Sequence, residues 1–110
     1  MNANQLDRLF QELSRGRRCS CCGRPAECVH HYVGRTSLLL RWDVPNAVPV
    51  CLECHRKIHD GKIKPVLTAA ALNWCEMHRH TLLKDWLLAH QVTEQEFLAE
   101  KEREIRGNLL

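Results

Sequence analysis

Residues 19–59 read CSCCGRPAECVHHYVGRTSLLLRWDVPNAVPVCLECHRKIH, and the spacing of sulfur and imidazole within them decides the fold. Two knuckles, Cys19-x2-Cys22 and Cys51-x2-Cys54, bracket the doublet His30-His31. Asn46 follows, and the stretch closes on His55 and His59. Four thiols at these spacings suit a closed, tetrahedral structural zinc site, because thiolate sulfur is the preferred soft ligand for that ion. The x2 spacing lets both sulfurs of a knuckle reach one ion, and Gly23 relieves the tight turn after Cys22. Cys21, Cys28 and Cys75 are then spare, each read as a small structural side chain.

The histidines form a second set of different character. His55 and His59, at i and i+4, share one face of a short helix, so their rings can converge on one ion. A third nitrogen from a strand leaves positions open for water and a phosphate oxygen. Either His30 or His31 can supply it, but not both, since adjacent strand residues point to opposite faces.

Working outward, Val29–Val33 reads as a short strand ended by Gly34, and 35–46 as a long loop whose Leu38, Leu39 and Leu40 must find a core. Ala47–Val50 makes the second strand, and Leu52 to about Asp60 a helix stopped by Gly61. Upstream, Leu6, Leu9, Phe10 and Leu13 at helical spacing predict a helix over 4–14, capped by Asn2 or Asn4 and ended by Gly16. No chemistry shows in it. Downstream, Thr68 caps a longer helix over 68–90, with Ala71, Trp74, Cys75, Leu82 and Trp86 on one face and His78 among them as a core histidine. Thr93-Glu-Gln-Glu96 is a capping box opening a last helix over 94–106, stopped by Gly107. Its narrow stripe of Phe97, Leu98 and Ile105 either covers the core edge or meets a second copy.

A chain of 110 residues fits one domain, and seven cysteines offer the staple that so small a core needs. The first sixteen residues lack the apolar core of a secretion signal, and no stretch is long enough to span a membrane. A cytoplasmic, reducing setting is expected, where paired cysteines are metal ligands rather than disulfides. The net charge of +3 is mild, but its distribution is not. Arg15, Arg17, Arg18, Arg24, Arg35, Arg41, Arg56, Lys57, Lys62 and Lys64 crowd the central block, against Glu27, Asp43, Glu53 and Asp60. Such a basic block suits phosphate contacts.

Over residues 19–59 the chain resembles the HNH nucleases, the ββα-metal fold shared by toxin DNases, homing enzymes and many phage endonucleases. The resemblance rests on His30-His31, on Asn46, on His55 and His59, and on cysteine knuckles of which the second runs directly into His55. It implies an α+β fold with a ββα-metal core over 19–64, flanked by the N-terminal helix and two C-terminal helices. It further implies His31 as general base, His30, His55 and His59 as ligands of the catalytic divalent metal, and Asn46 as the tie that steadies the loop. Many phage members carry lysine or asparagine where this chain has His59; the three-histidine version is closer to the toxin DNases. The expected cofactors are Zn2+ at Cys19, Cys22, Cys51 and Cys54, and Mn2+ or Mg2+ at the histidines. Imidazole ligands also suit Ni2+, Co2+ or Zn2+ there. The expected partner is double-stranded DNA, cut or nicked by a phage-type enzyme, with Arg35, Arg41, Arg56 and Lys57 on its phosphates and a homodimer allowed. The alternative is a non-catalytic, zinc-stabilised nucleic-acid-binding module.

Overall fold

The computed structural model describes residues 1–110. Helix α1 spans Ala3–Gln11. It opens on a reciprocal cap: the Asn2 side chain accepts from the Gln5 N–H and the Gln5 side chain from the Asn2 N–H, both at 2.8 Å. A single 3-10 turn, Glu12–Ser14, prolongs it, and the chain leaves through Gly16 at φ +74°, the left-handed region that favours glycine. Leu6, Leu9, Phe10 and Leu13 are all buried, as their spacing predicts.

Strands β1 (Cys28–His31) and β2 (Ala47–Val50) pair antiparallel, with Cys28 opposite Val50, Val29 opposite Pro49, His30 opposite Val48 and His31 opposite Ala47. Proline is tolerated at 49 because that position needs no ladder donor. Its carbonyl turns outward to the Ser20 N–H at 2.9 Å. Val29 likewise turns its backbone away from β2. There the Gln11 side chain stands in for a third strand, accepting from the Val29 N–H (2.8 Å) and donating to its carbonyl (3.2 Å).

The pleat sorts the side chains. Val29 packs with Leu6, Leu9, Phe10, Leu13, Leu39, Trp42, Phe97 and Ile105 in the principal core, while Val48 and Val50 pack with Cys19, Cys51 and Cys54 on the opposite face. Helix α2 (Leu52–His59) follows β2 directly and lies on that second face. Its cap is Cys51, whose sulfur accepts the Cys54 N–H at 3.4 Å.

Three helices complete an α+β molecule: α3 (Ala69–His78), α4 (Leu83–His90) and α5 (Glu94–Gly107). The single helix expected over 68–90 is thus two. In one straight helix Trp74 and Trp86 would lie about 18 Å apart along the axis. Their ring centroids are 6.4 Å apart, and Trp86 also meets His78 at 5.4 Å. That aromatic contact requires a turn, and Leu82, expected on the buried face, caps α4 in extended conformation at 56% exposure. The first strand also ends earlier than expected, at His31. Beyond it both backbone groups of Val33 bond to the Asn46 carboxamide instead of to a strand. Gly107 closes α5 from within, leaving Asn108 as the cap. Phe97 and Ile105 of α5 cover the core edge against α1. No helix is long and apolar enough to cross a membrane.

Candidate metal centres

The first centre forms where the two knuckles meet. The sulfurs of Cys19, Cys22, Cys51 and Cys54 all lie within 4.8 Å of one another, and Cys22 Sγ is 3.7 Å from Cys51 Sγ. Zinc–sulfur bonds of ~2.3 Å at tetrahedral angles put sulfurs about 3.8 Å apart, so the set fits that ion. Gly23 turns the first knuckle at φ +80°, and Cys51 begins the second as the cap of α2. Arg24 reaches across: its Nε lies 3.5 Å from Cys22 Sγ and its Nη2 3.8 Å from Cys51 Sγ, while Glu53 anchors it at 2.5 Å. That guanidinium holds the Cys22 thiol down at about 6, toward the thiolate a metal needs. Cys21 stays outside the set, and Cys75 is wholly buried against Pro45 O (3.5 Å) and Asn46 Oδ1 (3.7 Å).

The second centre joins β1 to α2. Ring nitrogens of His30, His55 and His59 lie within 4.8 Å of one another, and His55 Nε2 is 3.0 Å from His59 Nε2. Imidazole–metal bonds of ~2.0–2.1 Å put adjacent ligand nitrogens about 3 Å apart, so these three also fit a cation. The i, i+4 step aligns the helical pair, and the pleat aims His30 at them, its centroid 5.3 Å from each ring. Burial pushes the His30 ring down to about 4, helped by the charges of His55 and His59; it therefore stays in the neutral, ligating form. Cys28, two residues before His30 on the same face, places Sγ 3.3 Å from His55 Nδ1. Far from filler, it orients the ring whose other nitrogen faces His59.

His31 points the other way, as alternation requires. Its ring stacks on Phe10 of α1, centroids 4.8 Å apart at 18°. Its Nε2 lies 3.0 Å from the Arg41 carbonyl oxygen. A carbonyl only accepts, so Nε2 carries the proton and Nδ1 keeps its lone pair. Burial lowers the affinity of the ring for a second proton, the Arg41 carbonyl opposing in part. Asn46 is wholly buried and holds the intervening loop closed: Oδ1 accepts the Val33 N–H at 2.6 Å, and Nδ2 donates to Val33 O (2.9 Å) and Leu40 O (3.0 Å).

All four histidines line one cleft of about 860 Å³, whose other wall is α1, through Asp7, Arg8 and Gln11, and Glu12 of the turn that follows it. Of the expected phosphate contacts, only Arg35 lines it. Arg41 is 18% exposed and engaged by Asp7 through Nε (3.1 Å) and Nη2 (2.6 Å). Arg56 and Lys57 stand on α2 outside the cleft, and Lys57 pairs with Glu53 at 3.4 Å. Asp7 also takes Arg35 (3.0 Å) and Trp42 Nε1 (2.9 Å). Burial alone would raise its carboxyl; these bonds and charges outweigh it and hold the group below its ordinary value. Sequence reading missed Asp7, Arg8 and Gln11. Nothing in a helical stripe reveals that the polar residues beside it meet a strand and a loop more than seventeen positions later. Comparison with family models, with curated proteins and with solved structures finds no match to this chain.

Proposed function

We propose that the protein is a metal-dependent HNH endonuclease that hydrolyses phosphodiester bonds in double-stranded DNA, of the phage type that nicks one strand. One observation carries this reading: three histidine nitrogens converge beside a fourth histidine whose Nδ1 is left unprotonated, all four lining one cleft. Cys19, Cys22, Cys51 and Cys54 hold a structural Zn2+, and the strand β1, the strand β2 and helix α2 form the ββα core around it. His30, His55 and His59 hold the catalytic cation, Mn2+ or Mg2+, with Ni2+, Co2+ and Zn2+ as further candidates. When bound, that ion supplies Lewis-acid polarisation of the scissile phosphate and stabilises charge on the departing oxygen.

The residues of the chain supply the rest. His31 Nδ1 takes a proton from water as the water oxygen attacks phosphorus. The phosphorus–O3′ bond breaks, and the leaving oxygen gains a proton from solvent, giving 5′-phosphate and 3′-hydroxyl ends. Burial favours the neutral ring of His31, so it is ready to accept at neutral pH. Phe10 and the Arg41 carbonyl restrict its orientation, which is the geometric requirement for a base. Arg35 is the cleft residue from the basic loop placed to meet phosphate.

The test is supercoiled plasmid incubated with the zinc-loaded protein and Mn2+ or Mg2+, beside His31→Ala. Relaxed circles from wild type and none from the variant, with zinc content and fold retained, is the expected result. Failure of wild type to cut with any divalent ion would leave a zinc-stabilised binding module instead.

A further inference from the structure

Helix α1 lies outside the stretch that carries the chemistry, yet it reaches the general base by two routes, one direct and one through the Arg41–Trp42 segment. Phe10 stacks under the His31 ring. Asp7, one turn earlier, gathers the Arg41 guanidinium, the Trp42 indole N–H and Arg35 on one carboxylate. The carbonyl between those two side chains, that of Arg41, is the one that accepts from His31 Nε2. The preceding carbonyl, Leu40 O, accepts from Asn46 Nδ2 (3.0 Å) and from the Asp43 N–H (3.1 Å). The segment that carries the acceptor for His31 Nε2 is therefore fixed by Asn46 at Leu40 and by Asp7 at the Arg41 and Trp42 side chains.

We propose that Asp7 is a positioning residue for the base: it immobilises the Arg41–Trp42 segment so that His31 is kept with hydrogen on Nε2 and a lone pair on Nδ1. This rests on the reading of His31 as general base. Without the carboxylate, Arg41 and Trp42 lose their common acceptor and the segment gains freedom. The Nε2 donor then has no fixed partner, and the Nδ1–H tautomer becomes accessible, which cannot take a proton from water at that atom. Asp7 has a second effect of opposite sign. It occupies Arg35, which is 59% exposed, so its removal frees a cation in the cleft and should not weaken the hold on a polyanion. The two effects together give a signature that simple loss of structure does not: kcat falls while KM for DNA stays level or drops.

The experiment compares wild type, Asp7→Ala and the near-isosteric Asp7→Asn as zinc-loaded proteins with matched zinc content. Long-range 15N–1H spectra of the histidine rings, recorded without a second divalent ion, should show His31 as the Nε2–H tautomer in wild type and a mixture in both variants. Plasmid nicking should lose roughly 10-fold to 100-fold in kcat with no rise in KM. An unchanged tautomer in both variants overturns the proposal, as does a rise in KM at constant kcat. Should wild type not cut DNA, the proposed function falls while the spectra still decide what Asp7 does to the His31 ring.

Discussion

Asn46 shows how much one side chain can carry. It is wholly buried and satisfies one N–H and two carbonyls of a loop with little other regular structure. Asn46→Ala would strand both backbone groups of Val33 and leave Leu40 O with the Asp43 N–H alone, so the variant should lose about 2–4 kcal/mol in urea unfolding of the zinc-loaded protein. A loss under half a kcal/mol would mean water replaces the amide. Cys28 acts more quietly. Its contact with His55 Nδ1 leaves His55 Nε2 for a metal, and outer partners of this kind are worth about 10-fold to 100-fold in affinity. Cys28→Val should weaken Co2+ binding at the histidines by at least the lower figure, read from cobalt absorption bands in zinc-loaded protein, while Cys28→Ser restores most of it.

At the level of elements, strand β1 divides its side chains by alternation: His30 turns to α2, beside His55 and His59, and His31 turns to α1, against Phe10. This was legible in the sequence, because a period of two and a period of 3.6 dictate which side chains meet across a short strand and a short helix. The knuckles were legible for the same reason. What the sequence did not show depends on contacts between distant positions: the break at Leu82, made by Trp86 folding back on Trp74 and His78, and the bond from Asp7 to Arg41. Local pattern also gave Arg41, Arg56 and Lys57 a role by charge alone; Arg41 is drawn against Asp7, while Arg56 and Lys57 stand exposed on α2 outside the cleft. The β1–α2 contact has a pH consequence. Burial depresses His30 to about 4 from an ordinary 6.5, so below 6.5 the unfolded chain binds a proton that the folded chain refuses. Stability from this source is therefore lost as pH falls. The urea midpoint of wild type, taken relative to His30→Gln, should fall between pH 7.5 and pH 5; a constant gap would show that the ring is not held neutral.

On the scale of the whole molecule, the principal core joins α1, the sheet and α5, whereas α2 rests on a smaller cluster of Val48, Val50, Cys19, Cys51 and Cys54. Three of those five are thiols of the first centre, so that half of the protein has little apolar support of its own. Cys51→Ser should therefore shed zinc and lose the near-ultraviolet signal of folded packing, and full zinc retention would point to other ligands. Cys54 and His55 are neighbours in the chain, one a member of each candidate centre. With ions at both centres, as proposed, a strong chelator that stripped the sulfur site would accordingly scatter the imidazoles as well, and depletion of one metal would silence both. On the proposed function, availability of zinc would then act as a master licence, granted before any substrate is met.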